Sequence, residues 1–162
     1  MSTTVPGLTK GQINRAGDRL RLWTDDPEEW LEADAEEVNE TFGTLVAFRS
    51  SFQKPLTKVV MGLRSFVKSE MAELPPDGKL PVGQRMKREP QIERKLHRYP
   101  RMHLTRMQDI AGCRAIPTGG QPEVGRIFRR IRKRWGPTIK NVKRGCPEPR
   151  RTLNGGPPAL SA

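Results

Sequence analysis

Residues 84–116 read QRMKREPQIERKLHRYPRMHLTRMQDIAGCRAI. Eight Lys or Arg residues fall between positions 85 and 106. Pro90 suits the first turn of a short helix whose Ile92 and Leu96 face inward, which leaves Arg94, Lys95 and Arg98 on or beside its other faces. Residues 110–116 then read as a seven-residue strand, half apolar and closed by Pro117. Asp109 is the only acid between Glu93 and Glu123. A lone carboxylate at a strand edge, opposite several cations, is what a magnesium–nucleotide site needs. It holds Mg²⁺ through one or two oxygens while the metal and the cations neutralise phosphate oxygens. The same spacing equally describes a carboxylate that ends a helix or closes a turn.

Around this stretch the charge is lopsided. Thirty Lys+Arg against eighteen Asp+Glu give the 162-residue chain a formal net charge of +12. Residues 1–80 hold 10 basic and 13 acidic residues, a net of −3, whereas residues 81–162 hold 20 and 5, a net of +15. The excess lies in two blocks, 85–106 and 126–151. Such density implies an anionic partner, meaning nucleic acid, nucleotide phosphate or acidic lipid. A solvated helix face accounts equally well for the second block. No apolar run approaches the roughly 20 residues of a membrane span, and the first six residues lack the regions of a secretory signal. Two cysteines, Cys113 and Cys146, cannot make a disulfide framework. A soluble, cytoplasmic, single-domain protein without a membrane partner is therefore expected.

The first half reads as helical. Residues 7–22 carry a weak helical pattern through Leu8, Ile13, Leu20 and Leu22. Asp26 and Pro27 look like an N-cap and first helical position, followed by acids in the first turn. One amphipathic helix is expected from Trp30 through Val46, and another over 55–71 with Leu56, Val59, Val60, Leu63, Phe66 and Val67 on one stripe. Residues 74–78 break the pattern as a loop. A helix over 122–135 and a second short strand over 138–142 follow. Residues 136–162 contain nine Gly or Pro in 27 positions without a period, and a disordered tail is expected over 143–162. The sequence has no Gly-x-x-x-x-Gly-Lys-Ser/Thr loop and no Gly-x-Gly-x-x-Gly, and His97 and His103 lack zinc-ligand spacing.

Arg85-x-Lys87, then Lys95 within IERKL, then Asp109-x-x-Gly112-x-Arg114 resemble the ATP side of the RelA/SpoT alarmone synthetase domain. TKGQINRAG (9–17) and FRSSFQKPL (48–56) are similar to the helical lead-in of its small members, so the resemblance covers about residues 7–142. It implies an α+β fold of nucleotidyltransferase type: a mixed sheet flanked by helices over 8–142, after a flexible start at 1–7. It also implies transfer of pyrophosphate from ATP to the 3′-hydroxyl of GDP or GTP, giving (p)ppGpp and AMP. In that reading Asp109 binds Mg²⁺ and is the catalytic carboxylate, and Arg85, Lys87 and Lys95 hold ATP. Arg114 belongs to the same motif. Strict strand alternation puts it on the face opposite Asp109 unless a twist or bulge at Gly112 intervenes. The family's acceptor-side motif, with its guanine-stacking tyrosine and later Glu-x-Gln, is absent from the sequence, whose one tyrosine is Tyr99. A truncated family member is the expectation that follows, with oligomer formation left open. A tRNA 3′ end as acceptor, a non-catalytic RNA- or nucleotide-binding module, or an inactive, partly folded remnant are the alternatives.

Overall fold

The computed structural model describes residues 7–71 and 80–139, which form six α-helices, two strands and two 3₁₀ turns among them. The expected tail at 143–162 and most of the expected flexible start lie outside the described residues, as do positions 140–142 of the expected second strand.

Helix α1 (Lys10–Asp25) begins at a reciprocal cap. The Thr9 hydroxyl accepts from the Gln12 amide at 3.2 Å, and the Gln12 side chain accepts from the Thr9 amide at 2.8 Å. Asp26 caps the short α2 (Pro27–Glu32), with Pro27 in the first turn as expected. The single helix expected from Trp30 to Val46 is instead two. The chain turns extended at Ala33, and the Asp34 carboxylate accepts from the Glu37 amide at 2.7 Å to start α3 (Ala35–Ser50). The apolar spacing runs across this break because Trp30 of α2 packs on Trp23 and Phe42, so periodicity alone does not mark it.

Helix α4 (Gln53–Glu70) buries Leu56, Val60, Leu63 and Val67, while Val59 stays exposed, outside the stripe assigned to it. Strand β1 (Val82–Met86) was not expected, since VGQRM has the composition of a loop. It forms by pairing with β2 (Ala111–Ala115) in an antiparallel ladder that matches Val82 with Ala115 and Met86 with Ala111. Between the strands runs α5 (Glu89–Arg98), with Pro90 in its first turn and Ile92 and Leu96 fully buried, as the sequence implies. Helix α6 (Gly120–Trp135) follows β2 and ends in a 3₁₀ turn, Gly136–Thr138, where the start of a second strand was expected. Pro137 withholds an amide at that point, which disfavours continuation of a ladder.

These elements enclose two apolar cores. Ile13, Leu20, Trp23, Leu45, Phe48, Ile92, Leu96, Leu104 and Ile110 form the first, between α1, α3 and α5. Leu56, Val60, Leu63, Val67, Val82 and Ile127 form the second, where α4 and α6 cover one face of the β1–β2 ribbon. Gly17 allows α1 to approach the 104–106 turn, since a Cβ there would lie 2.7 Å from Leu104 Cβ. Arg21 ties α1 to the segment after α5 by donating to the carbonyls of Leu96 (3.2 Å) and Met102 (2.7 Å). The fold is α+β and mostly helical, with a two-stranded antiparallel sheet among the described residues. No helix among them is long and apolar enough to cross a membrane.

Candidate anion-binding site

The two strands place cations on the face of the ribbon turned away from α4 and α6. Met86, Ala111, Cys113 and Ala115 pack with the second core. By alternation Gly83, Arg85, Gly112 and Arg114 occupy the opposite face, with Arg85 facing Gly112 and Gly83 facing Arg114 across the ladder. Glycine at two of these four positions leaves the backbone open between the two guanidinium groups. An open cavity of about 370 Å³ lies here, lined by Gly83, Gln84, Arg85, Asp109, Gly112, Cys113 and Arg114. Arg85 and Arg114 are both exposed, and neither has an ion-pair partner among the described residues.

Asp109 enters this cavity because of its backbone. Its φ of 70° is left-handed, a region that Asp tolerates better than most residues. The ladder itself keeps one register from Met86–Ala111 to Val82–Ala115. No bulge at Gly112 is therefore needed to bring Arg114 and Asp109 to one site. The turn at Asp109 does so, correcting the expectation drawn from strand alternation.

Two lysines converge on the Asp109 carboxylate. Lys87, just beyond β1, reaches Oδ2 at 3.0 Å, and Lys95, on α5, reaches Oδ1 at 2.6 Å. Lys95 also donates to the Gln108 carbonyl at 3.4 Å. Lys87 is only 8% exposed. Its amide donates to the Ile110 carbonyl at 2.7 Å, and its carbonyl accepts from Arg49 Nε at 2.8 Å, so the backbone is held from both sides. Partial desolvation is the largest single influence on Asp109 and works to raise its pKa. The hydrogen bonds and charges of Lys95 and Lys87 together outweigh it and hold the carboxyl below its ordinary value. The group is thus an anion at neutral pH. Burial pushes the half-buried Cys113 thiol up.

All five residues singled out in the sequence are brought into this neighbourhood: Arg85, Asp109 and Arg114 line the cavity, and Lys87 and Lys95 bind the Asp109 carboxylate. Arg49 is the residue that sequence reasoning missed. It ends α3, supports the Lys87 carbonyl, and lies 3.7 Å from the Glu89 carboxylate. One signal was available: Arg49 is the first cation after a run without Lys or Arg from Leu22 to Phe48. Tyr99 follows α5 and does not line the cavity. No protein-family model matches the chain, and no curated protein matches its sequence.

Proposed function

We propose that the chain binds the phosphates of ATP at the open face of the β1–β2 ribbon, as the donor half of a pyrophosphate-transfer site of the RelA/SpoT alarmone synthetase kind. One observation carries this reading: Lys87 and Lys95 meet on Asp109 at the mouth of a cavity that Arg85 and Arg114 also line. Three short motifs up to 29 positions apart supply one carboxylate and four cations to one place. Arg85 and Arg114 chelate phosphate oxygens with paired N–H groups or stack on the base, and the lysines act as point charges. Lys95 has the freer side chain, at 24% exposed against 10% for Lys87, so it turns from Asp109 to an incoming phosphate while Lys87 stays.

The donor set suits a metal that arrives with the nucleotide. Asp109 is a single carboxylate, and no group of three or more His, Cys, Asp or Glu side chains is placed to hold a metal among the described residues. Mg²⁺ is commonly held by one or two carboxylates together with substrate phosphates. Each Asp109 oxygen that accepts from an ammonium keeps further lone-pair capacity, and its lowered pKa keeps it ionised. When bound, Mg²⁺ would neutralise charge on the phosphate oxygens.

In the reaction proposed, the acceptor 3′-oxygen of GDP or GTP bonds to the β-phosphorus of ATP. The bond from that phosphorus to the α–β bridging oxygen breaks, AMP leaves, and the hydroxyl proton is released. Positioning the acceptor is the larger part of such catalysis. With Tyr99 away from the cavity, ATP binding is the more direct expectation for this chain.

Calorimetric titration of the full chain with ATP and Mg²⁺ tests the reading. Arg85→Ala and Arg114→Ala, both at exposed positions, are each expected to weaken binding by about tenfold. Binding that falls steeply with salt, ignores both substitutions and does not depend on Asp109 overturns it in favour of a general polyanion binder. Labelled ATP with GDP then reports (p)ppGpp and AMP, and replacing GDP by deacylated tRNA tests the other acceptor.

A further inference from the structure

Two surfaces of this chain, each without a partner among the described residues, are complementary to one another. The first is α2. Leu31 stands 80% exposed on it, yet the helix is anchored, because the Trp30 ring packs edge-on against Trp23 at 5.0 Å and Phe42 at 5.9 Å. Leu31 is therefore an apolar side chain presented in a fixed place rather than on a loose end. Its setting is acidic. Nine of the eighteen acidic residues lie between positions 25 and 40, and no Lys or Arg occurs from 22 to 48. Glu28, Glu29 and Glu32 are exposed on α2 and make no ion pair among the described residues.

The second surface is a groove of about 310 Å³ beside β2 and α6, floored by Pro117, Val124, Phe128, Ile131 and Trp135. Val124 and Phe128 remain 40% and 37% exposed. Arg114 lines this groove too, and Arg129, Arg132 and Lys133 extend from the exposed side of α6 with no acidic partner among the described residues. The one acid of α6, Glu123, is buried.

We propose that the Leu31 face of α2 in one copy of this chain docks in the α6 groove of a second copy. An exposed apolar side chain on an acidic helix matches an apolar floor beside a basic one, so hydrophobic contact and charge favour the same pairing. The two surfaces rest on different cores, α2 on the first and the groove on the second. The contact joins two different patches, so copies linked by it form a reciprocal two-fold pair, a ring or an open chain. A nucleic acid would engage the α6 cations but would leave Leu31 and the apolar floor without a counterpart. Arg114 lines both this groove and the cavity at the ribbon, so the docked copy and a bound nucleotide share that one side chain.

Sedimentation of the full chain, freed of nucleic acid, tests this across concentration and salt. Reversible association that weakens as NaCl rises is expected. Leu31→Asp and Arg132→Glu, both at exposed positions, should each weaken it by about tenfold or more, with unchanged circular dichroism. An equimolar mixture of Leu31→Asp with Phe128→Gln should stop at dimers, because each variant keeps only the surface the other lacks. If Phe128→Gln does not fold, Arg132→Glu takes its place in the mixture. A monomer at every concentration, association indifferent to Leu31→Asp, or association only when RNA is added overturns the proposal.

Discussion

Asp109 combines a left-handed backbone, at φ 70°, with a carboxylate claimed by two ammonium groups. Asn visits the left-handed region as Asp does, so Asp109→Asn keeps the turn while it removes the charge and replaces one acceptor oxygen by an NH2 donor. The change leaves the Lys87 ammonium without its counter-ion, and because the Asp109 side chain is 55% exposed, solvent screening holds the expected loss to about 1 kcal/mol or less at neutral pH. The pH dependence has a definite sign. The folded Asp109 pKa lies below its ordinary value, so its contribution is complete above about pH 4 and is lost as pH falls through the depressed folded value. Urea unfolding of wild type and Asp109→Asn should therefore show a gap at pH 7 that closes towards pH 2. A gap of equal size at both ends would mean the carboxylate stabilises nothing through its charge. Gly112 gives the complementary case. A Cβ built there meets nothing within 4 Å, so Gly112→Val has room in the strand and fills the cavity instead. It should melt close to wild type while losing measurable ATP binding. A melting temperature that falls together with affinity would place Gly112 in packing.

At the scale of elements, α6 depends on one absent side chain in α4. A Cβ at Gly62 would overlap the Trp135 ring, which also packs on Phe66 at 4.8 Å between centroids. Overfilling such a contact costs about 1–3 kcal/mol, so Gly62→Ala should lower the urea midpoint and alter tryptophan fluorescence; an unchanged midpoint would mean that α6 repacks freely. This dependence was not legible in the sequence, where Gly62 is one glycine in an otherwise regular stripe. What was legible follows a rule. Helices α1, α4, α5 and α6 were found from apolar spacing because their buried faces lie within one element, as with Ile92 and Leu96. Strand β1 was not, because Gly83, Gln84 and Arg85 offer no alternation, and only the partner strand 29 positions later makes them a strand. The site divides in the same way. Lys87, Lys95 and Asp109 were found by residue type and motif order. Arg49 was not, since its role is a hydrogen bond to a carbonyl 38 positions away. The left-handed turn at Asp109 also went unseen, because Asp does not require it.

Over the whole molecule, the candidate site lies on the seam between the two cores. Met86 packs with the second core and Ile92 with the first, and Lys87 falls between them; Ile110 belongs to the first core and Ala111 to the second. Asp109 and its two lysines therefore close a junction as well as a cavity. Charge acts on the same junction. The −3 of residues 1–80 and the +15 of residues 81–162 give a chain whose basic half repels itself at low ionic strength. Screening has two opposite consequences. Within one copy it relieves the repulsion among the cations around β1, α5 and α6, so the dilute protein should melt higher in about 0.5 M than in about 0.05 M NaCl. Between copies it weakens the attraction of an acidic α2 for a basic α6, so association at high concentration should fall over the same range. Thermal melts at low concentration and sedimentation at high concentration, run in the same buffers, measure both signs. A melting temperature that falls with salt would mean that the exposed ion pairs, Arg130–Glu70 among them, outweigh the self-repulsion of the basic half.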